Sequence, residues 1–332
     1  MSPHLLRGSR RFLAQPLPGS GGFLSRVLLA TRKGDPRRYV LKVGSDIPQR
    51  RQWAGELRVF ARELAAYRLL APLKGKRSPR WFAGASVPDG SDGLLLLEEI
   101  RHAKNRDQLQ GLTGTELTSA ARAIAGIHAR FWSSSALRKA TDLPRHHYMR
   151  AHQVRSYLPA FLRWAKLPPK TRRWFRILPQ SVNAALARLR RRPFTLVHGD
   201  FRSDNIFLGK GFVKIIDWGF ASVGTGAFDV ARLAGGSPRK PLSLLEHVDL
   251  FKVWHAELLR RGVRHYPLHE AWQDYRDAVL LTLTIPVTNA PTLASLSPRG
   301  RRLAKLITKR FLSAAKELGV FVGASRERER TS

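Results

Sequence analysis

Two apolar runs of strand character, residues 194–197 and 213–216, each deliver the chain into a short polar loop. The first loop reads His198-Gly199-Asp200-Phe201-Arg202-Ser203-Asp204-Asn205. The second reads Ile215-Ile216-Asp217-Trp218-Gly219. Residues 205–208 form a further short apolar run between them. One carboxylate, one amide and a second carboxylate thus fall on two neighbouring loops between strand-like runs. Gly199, ahead of Asp200, permits a tight backbone turn there.

The residue types suit one kind of chemistry. A carboxylate at Asp200 can accept a hydrogen bond from a substrate hydroxyl and hold it in line with a transferable phosphoryl group. The neutral amide oxygen of Asn205 and the carboxylate of Asp217 are hard donors of the kind Mg²⁺ prefers. Taken singly, each is an ordinary turn or loop residue. Two carboxylates, one amide and two leading strands in this order make a specific pattern.

Further residues extend the pattern upstream. Lys42 sits in the apolar run 39–43, where an ammonium needs a partner because an isolated buried charge is costly. Glu63, on a following segment of helical spacing, is the expected partner, with Glu56 as the alternative should the helix register differ. The run Gly19-Ser20-Gly21-Gly22-Phe23-Leu24-Ser25 offers backbone N–H groups for phosphate oxygens, Gly21, Gly22 and Ser25 among them. Glu98 to Ile100 closes a short strand. Arg202, two residues past Asp200, is either one more surface arginine or a charge for a transferring phosphoryl group, and His198 is expected to orient the loop. His128 reads as a satisfied core histidine.

Composition restricts the alternatives. The 332 residues contain no cysteine, which excludes disulfides, thiol catalysis and cysteine-based zinc sites. Lys and Arg number 59 against 24 Asp and Glu, a formal charge of +35. Such a surface attracts polyanions. The excess is mostly arginine spread along the chain, with short runs such as Arg190-Arg191-Arg192, and no RNA-binding motif with interleaved aromatics accompanies it. The Arg- and Ser-rich start is similar to a mitochondrial presequence, but the glycine run begins too early for much to be cleaved. The most apolar long stretch, 278–296, is interrupted by Pro286, Asn289 and Pro291 and reads as buried helix and loop.

Periodicity places the elements. Residues 27–30 and 39–43 read as a hairpin turned by Gly34-Asp35-Pro36. Residues 56–70 take helical spacing through Leu57, Phe60, Leu64, Tyr67 and Leu70, ended by Pro72. Residues 94–97 are a buried strand. Thr113-Gly114-Thr115-Glu116 is a capping box opening a helix that buries Ala120, Ile124, Ile127, His128 and Phe131. Helices are expected over 146–165, 172–190, 242–262, 268–284 and 298–318, the last with Leu303, Leu306, Ile307, Phe311 and Leu312 on one face.

On His198-Gly199-Asp200 through Asn205, on Ile216-Asp217-Trp218, and on Ile127-His128-Ala129-Arg130-Phe131-Trp132, the chain resembles the aminoglycoside phosphotransferase and choline kinase superfamily, over about residues 17–320. The resemblance implies an α+β, bilobal, protein-kinase-like fold. Residues 1–100 would form a nucleotide-binding lobe with a small antiparallel sheet. Residues 101–325 would form a mainly helical catalytic and substrate lobe, and 326–332 a disordered tail. It implies Asp200 as catalytic base, Asn205 and Asp217 as metal ligands, the Lys42–Glu63 pair as holder of the α- and β-phosphates, and Glu98 to Ile100 as the hinge whose backbone pairs with adenine. Asp229, in Phe228-Asp229-Val230, matches a position that braces the catalytic loop. The implied reaction is transfer of the γ-phosphate of ATP, with Mg²⁺, to a hydroxyl of a small molecule in the cytoplasm. The alternative is a catalytically silent kinase-like protein whose basic surface binds nucleic acid or another polyanion.

Overall fold

The computed structural model describes residues 12–17, 24–148 and 151–321. The expected phosphate loop residues Gly21 and Gly22 and the expected tail 326–332 lie outside the described residues. The chain divides into two compact units. The first runs to Lys104 and takes back residues 138–143 and 207–221; the second holds 105–137, 144–206 and 222 onward.

The first unit begins with β1 (Phe12–Pro16), β2 (Ser25–Arg32) and β3 (Asp35–Gly44), then α1 (Pro48–Glu56), α2 (Val59–Leu70), β4 (Trp81–Ser86), β5 (Gly93–Glu98) and β6 (Ala103–Lys104). Strands β1 to β5 form one antiparallel sheet in the order β1-β2-β3-β5-β4. The two most apolar runs, β3 and β5, lie inside it, as a strand covered on both faces should. Its core gathers Ala30, Tyr39, Leu41, Val43 and Leu96. The helix expected over 56–70 is α2, which begins at Val59; α1 ahead of it is absent from the sequence reading. Arg58 adopts a left-handed conformation, φ 51°, which separates the two. Pro48 at the first turn of α1 is pre-set for a helix start. The strands β1 and β4 carry too few apolar alternations to be read from sequence.

Onward come α3 (Gly114–Arg130), α4 (Ser135–Lys139), α5 (Val154–Ala165), α6 (Pro169–Leu189), β7 (Thr195–Val197), β8 (Ile206–Gly209), β9 (Phe212–Ile215), β10 (Ser222–Gly224), α7 (Ala227–Gly236), α8 (Leu244–Arg260), α9 (Leu268–Thr282), α10 (Thr284–Thr288) and α11 (Pro298–Glu317). Strands β6, β8 and β9 make a small sheet of the first unit, and β7 pairs antiparallel with β10 in the second. In the second unit α3 packs on α8, while α7 and α6 both pack on α9. Its core includes Ile124, Ile127, Val197, Phe228, Trp254, Tyr275 and Leu281.

The capping box of α3 is present. Glu116 N–H donates to Thr113 Oγ1 at 3.3 Å, and Thr113 N–H donates back to Glu116 Oε2 at 2.9 Å. Ser243 and Glu246 repeat the device at α8. The helix expected over 146–165 begins only at Val154, after a 3₁₀ turn, Ala151–Gln153. The one expected over 172–190 begins earlier, on Pro169. In α11 the deepest residues are Phe311, Ala314 and Ala315, and the expected leucines of its earlier turns are only half-buried. No helix among the described residues is long and apolar enough to cross a membrane.

Candidate active site

In the first unit, Lys42, Glu63 and Asp217 come together. Lys42 lies on β3, paired in register with Val27 and Leu95, so its ammonium is held by a strand flanked on both sides. It is 7% exposed. Its Nζ donates to Glu63 Oε2 and to Asp217 Oδ1, each at 2.7 Å. Glu63 is fully buried on α2, so Glu63 and not Glu56 is the partner. Burial acts to depress the Lys42 ammonium, but the two carboxylates outweigh it and hold its pKa above the ordinary lysine value. Burial pushes the Glu63 carboxyl up to about 7, against the pull of Lys42.

Asp217 follows β9 and has a left-handed backbone, φ 63°. Aspartate tolerates that region better than most residues. The next turn, Trp218–Phe220, lies against α2. A Cβ at Gly219 would stand 2.7 Å from Val59 Cγ1, so this position must be glycine for the loop to sit so close to the helix. Arg62, almost fully buried on α2, clamps the same loop: Nε donates to Ala221 O at 2.8 Å and Nη2 to Phe220 O at 2.6 Å.

The remaining residues of the first unit are spread along its strands. Ser25 opens β2, buried and opposite Gly44. Glu98 ends β5. Its carboxylate accepts from Lys214 Nζ at 2.7 Å and from the Arg80 backbone N–H at 2.9 Å. Ile100 follows it, half-buried.

In the second unit, β7 leads into residues 198–205, and Asp229 on α7 fixes the turn. Its Oδ2 accepts from His198 N–H at 2.7 Å and its Oδ1 from Gly199 N–H at 2.9 Å. Gly199 has φ 83°, so the turn depends on glycine. A third contact links Asp229 Oδ2 to His128 Nε2 at 3.1 Å. Trp254 Nε1 donates to His128 Nδ1 at 3.0 Å, which leaves the ring proton on Nε2, facing Asp229. His128 is fully buried and satisfied, as the sequence suggests.

His198 Nδ1 accepts from the Asp200 N–H at 3.2 Å and so orients the loop. The carboxylate of Asp200 stands between two guanidinium groups. Arg202 Nε donates to Oδ2 at 2.9 Å and Arg232 Nη2 to Oδ1 at 3.0 Å. Arg202 also reaches Gln108 Oε1 at 3.0 Å and the carboxylate of Asp204. Asn205 Nδ2 donates to the Asp200 carbonyl at 2.9 Å and to its Oδ2 at 3.3 Å. That leaves the Asn205 side-chain oxygen without a hydrogen-bond donor among the described residues.

Arg232 and Gln108 are absent from the sequence reading. One signal for Arg232 was available. Residues 227–236 are apolar or small except Asp229 and Arg232, and every one of them is buried. A lone arginine in such a helix demands a carboxylate partner. Burial lowers its pKa, with the Asp200 charge opposing.

A phosphotransferase enzyme family model matches residues 17–275. Among solved structures, the chain is similar to choline kinase from Cryptosporidium parvum, with TM-score 0.61, 12% identity, and 93% and 91% of the two chains covered. It is similar to the ADP-bound aminoglycoside phosphotransferase APH(2'')-Ib, with TM-score 0.54, 18% identity and coverage of 96% and 97%. It is also similar to amicoumacin kinase in complex with AMP-PNP and Ca²⁺, with TM-score 0.54, 14% identity and coverage of 94% and 89%. No curated protein sequence matches. At such identities these likenesses speak for the fold, an antiparallel-sheet N-terminal part and a helical C-terminal part of the kinase type. The family model spans most of the chain, and this protein belongs to the phosphotransferase enzyme family.

Proposed function

We propose that the protein transfers the γ-phosphate of ATP to a hydroxyl of a small molecule, with Mg²⁺. The observation that supports this most directly is the Lys42–Glu63–Asp217 cluster. A buried lysine held by two carboxylates, one of them at the sequence position of a metal ligand, has no structural need for the second. Similar kinases have been solved with ADP and with AMP-PNP.

In this reading Asp200 is the base. A carboxylate offers about four lone-pair sites. Arg202, Arg232 and Asn205 take three, which leaves one on Oδ1 for an acceptor hydroxyl. The acceptor oxygen forms its bond to the γ-phosphorus, the bond from that phosphorus to the β,γ-bridging oxygen breaks, and ADP leaves. The hydroxyl proton passes to Asp200. Arg202 and Arg232 hold the carboxylate in the geometry this needs. Arg202, tied to Asp200, Asp204 and Gln108, acts first as a positioning residue. Lys42 binds phosphate oxygens when it turns from Asp217, with Glu63 fixing its direction. Glu98 and Ile100 present backbone to the adenine, and Ser25, Gly21 and Gly22 present theirs to the phosphates.

The donor set suits Mg²⁺: the Asn205 amide oxygen lacks a hydrogen bond among the described residues, and the Asp217 side chain is 43% accessible. Held by these two residues, the ion would neutralise charge on the β- and γ-phosphates. We place the activity in the cytoplasm, where ATP is supplied. The test is ADP release over a panel of alcohols, with and without Mg²⁺. We expect Mg²⁺-dependent release with one acceptor class, lost in Asp217→Ala. ATP binding that is indifferent to Mg²⁺ and to Asp217→Ala would refute the reading.

A further inference from the structure

The +35 charge is not spread evenly over the second unit. Residues 143–199 contain no Asp or Glu and thirteen Lys and Arg. Toward the end of α6 the structure pairs two arginines with carboxylates. Arg188 makes a two-pronged pair with Asp277 on α9 at 2.8 and 2.7 Å. Just beyond the helix, Arg192 pairs with Asp274 and Glu270. At the start of α6 nothing comparable occurs. Arg163 and Lys166 from the end of α5, and Arg172 and Arg176 from the first turns of α6, line one cavity of about 380 Å³. Among the described residues, none of these four side chains meets a carboxylate.

The local backbone concentrates charge there. Lys166 ends α5 in a left-handed conformation, φ 46°, and Pro168-Pro169 turns the chain at once into α6. The α6 N-terminus adds the positive end of a 21-residue helix. Four exposed like charges share one open pocket; solvent screens their mutual repulsion, and their summed field draws anions to it. Pro159 and Leu162 supply an apolar wall beside them. An open pocket of this volume matches a small molecule, whereas a duplex or a bilayer asks for an extended face.

We infer that the α5–α6 cavity is a binding site for a small polyanion, an organic molecule carrying two or more phosphate groups and a short carbon frame. Arginine forks take phosphate oxygens two at a time, and Lys166 adds a point charge. The site stands independently of the phosphotransferase reading, because its test measures binding and not turnover.

The experiment titrates the full chain with inorganic tripolyphosphate and with a sugar bisphosphate by calorimetry. We expect 1:1 binding that weakens with salt. In the Arg172→Gln/Arg176→Gln variant, changed only at exposed positions, affinity falls about tenfold or more. In Lys42→Met it is unchanged, and a thermal melt of each variant verifies folding. Hydrogen exchange on the wild-type protein supplies a readout without mutation, with protection by the sugar bisphosphate at residues 159–176. The proposal is overturned if binding survives the double variant, or if the sugar bisphosphate leaves residues 159–176 unprotected. It is equally overturned if DNA or anionic vesicles bind through these arginines while neither small polyanion binds.

Discussion

The two units carry charge clusters of opposite construction. In the first, one ammonium is held between two carboxylates, Lys42 between Glu63 and Asp217. In the second, one carboxylate is held between two guanidinium groups, Asp200 between Arg202 and Arg232. The lysine cluster can exchange partners: a compact ammonium on a flexible stem can leave Asp217 and take a phosphate oxygen while Glu63 keeps it oriented. The arginine cluster is planar and forked, and it fixes the Asp200 carboxylate with one lone pair spare. A yielding contact suits a ligand that comes and goes. A fixed contact suits a group that must meet a hydroxyl at one angle.

The sharpest way to break this comparison is Asp200→Asn. We expect turnover to fall by about 10²–10⁴-fold with nucleotide affinity kept, as measured by steady-state kinetics and ATP titration. Unchanged turnover would remove Asp200 from the chemistry. Lys42→Met should do the reverse, weakening nucleotide binding first. It also strands Glu63 in the core, at a cost of about 3–5 kcal/mol in denaturant unfolding. Equal loss of affinity in both variants would erase the distinction between yielding and fixed. Arg232→Met removes one guanidinium and fills the space with an apolar stem. We expect kcat to drop by roughly 10²-fold or less, KM to hold, and the melting temperature to fall less than in Lys42→Met, because Arg202 and Asn205 still hold Asp200.

Two smaller effects sharpen the picture of the second unit outside its cluster. Burial depresses the pKa of His247 from 6.5 to about 4, and its Nδ1 shares a hydrogen bond with the Tyr275 hydroxyl at 2.7 Å. The unfolded chain therefore binds the extra proton between pH 6.5 and 4. Stability falls as pH drops through that window, by up to about 1.4 kcal/mol per pH unit from this residue. His247→Asn should flatten that part of the profile in melts taken from pH 7 to 4. Thr113→Ala, which opens the capping box of α3, should cost about 1 kcal/mol.

Much of this arrangement was legible because its signals are local. Thr113 and Glu116 are three residues apart, and the hairpin β2–β3 is announced by two apolar runs and a glycine turn. The partnership of Lys42 with Glu63 follows from the cost of a lone charge in an apolar strand. What was hidden depends on distant residues or on backbone angles. The break at Arg58 leaves no mark in composition, since arginine rarely turns left-handed. Gln108 meets Arg202 from an irregular stretch ahead of α3. The contact of Lys42 with Asp217 joins residues of the first unit that the second unit separates in sequence. The strand β4, Trp81 to Ser86, is two-thirds glycine, alanine and serine, and only its pairing with β5 makes it a strand.

The indole hydrogen of Trp254 carries a consequence beyond its own bond. Donating to one nitrogen of His128, it dictates which tautomer the imidazole adopts, and so which sign of partial charge that ring turns toward Asp229. Were Trp254 a phenylalanine, the imidazole would be released to choose. A ring that chose wrongly would set a lone pair against the carboxylate on which the turn at His198 and Gly199 hangs. A side chain on α8 thereby acts as a latch on the geometry two hydrogen bonds away, and damage there would look like a catalytic defect in a protein whose catalytic residues are all intact.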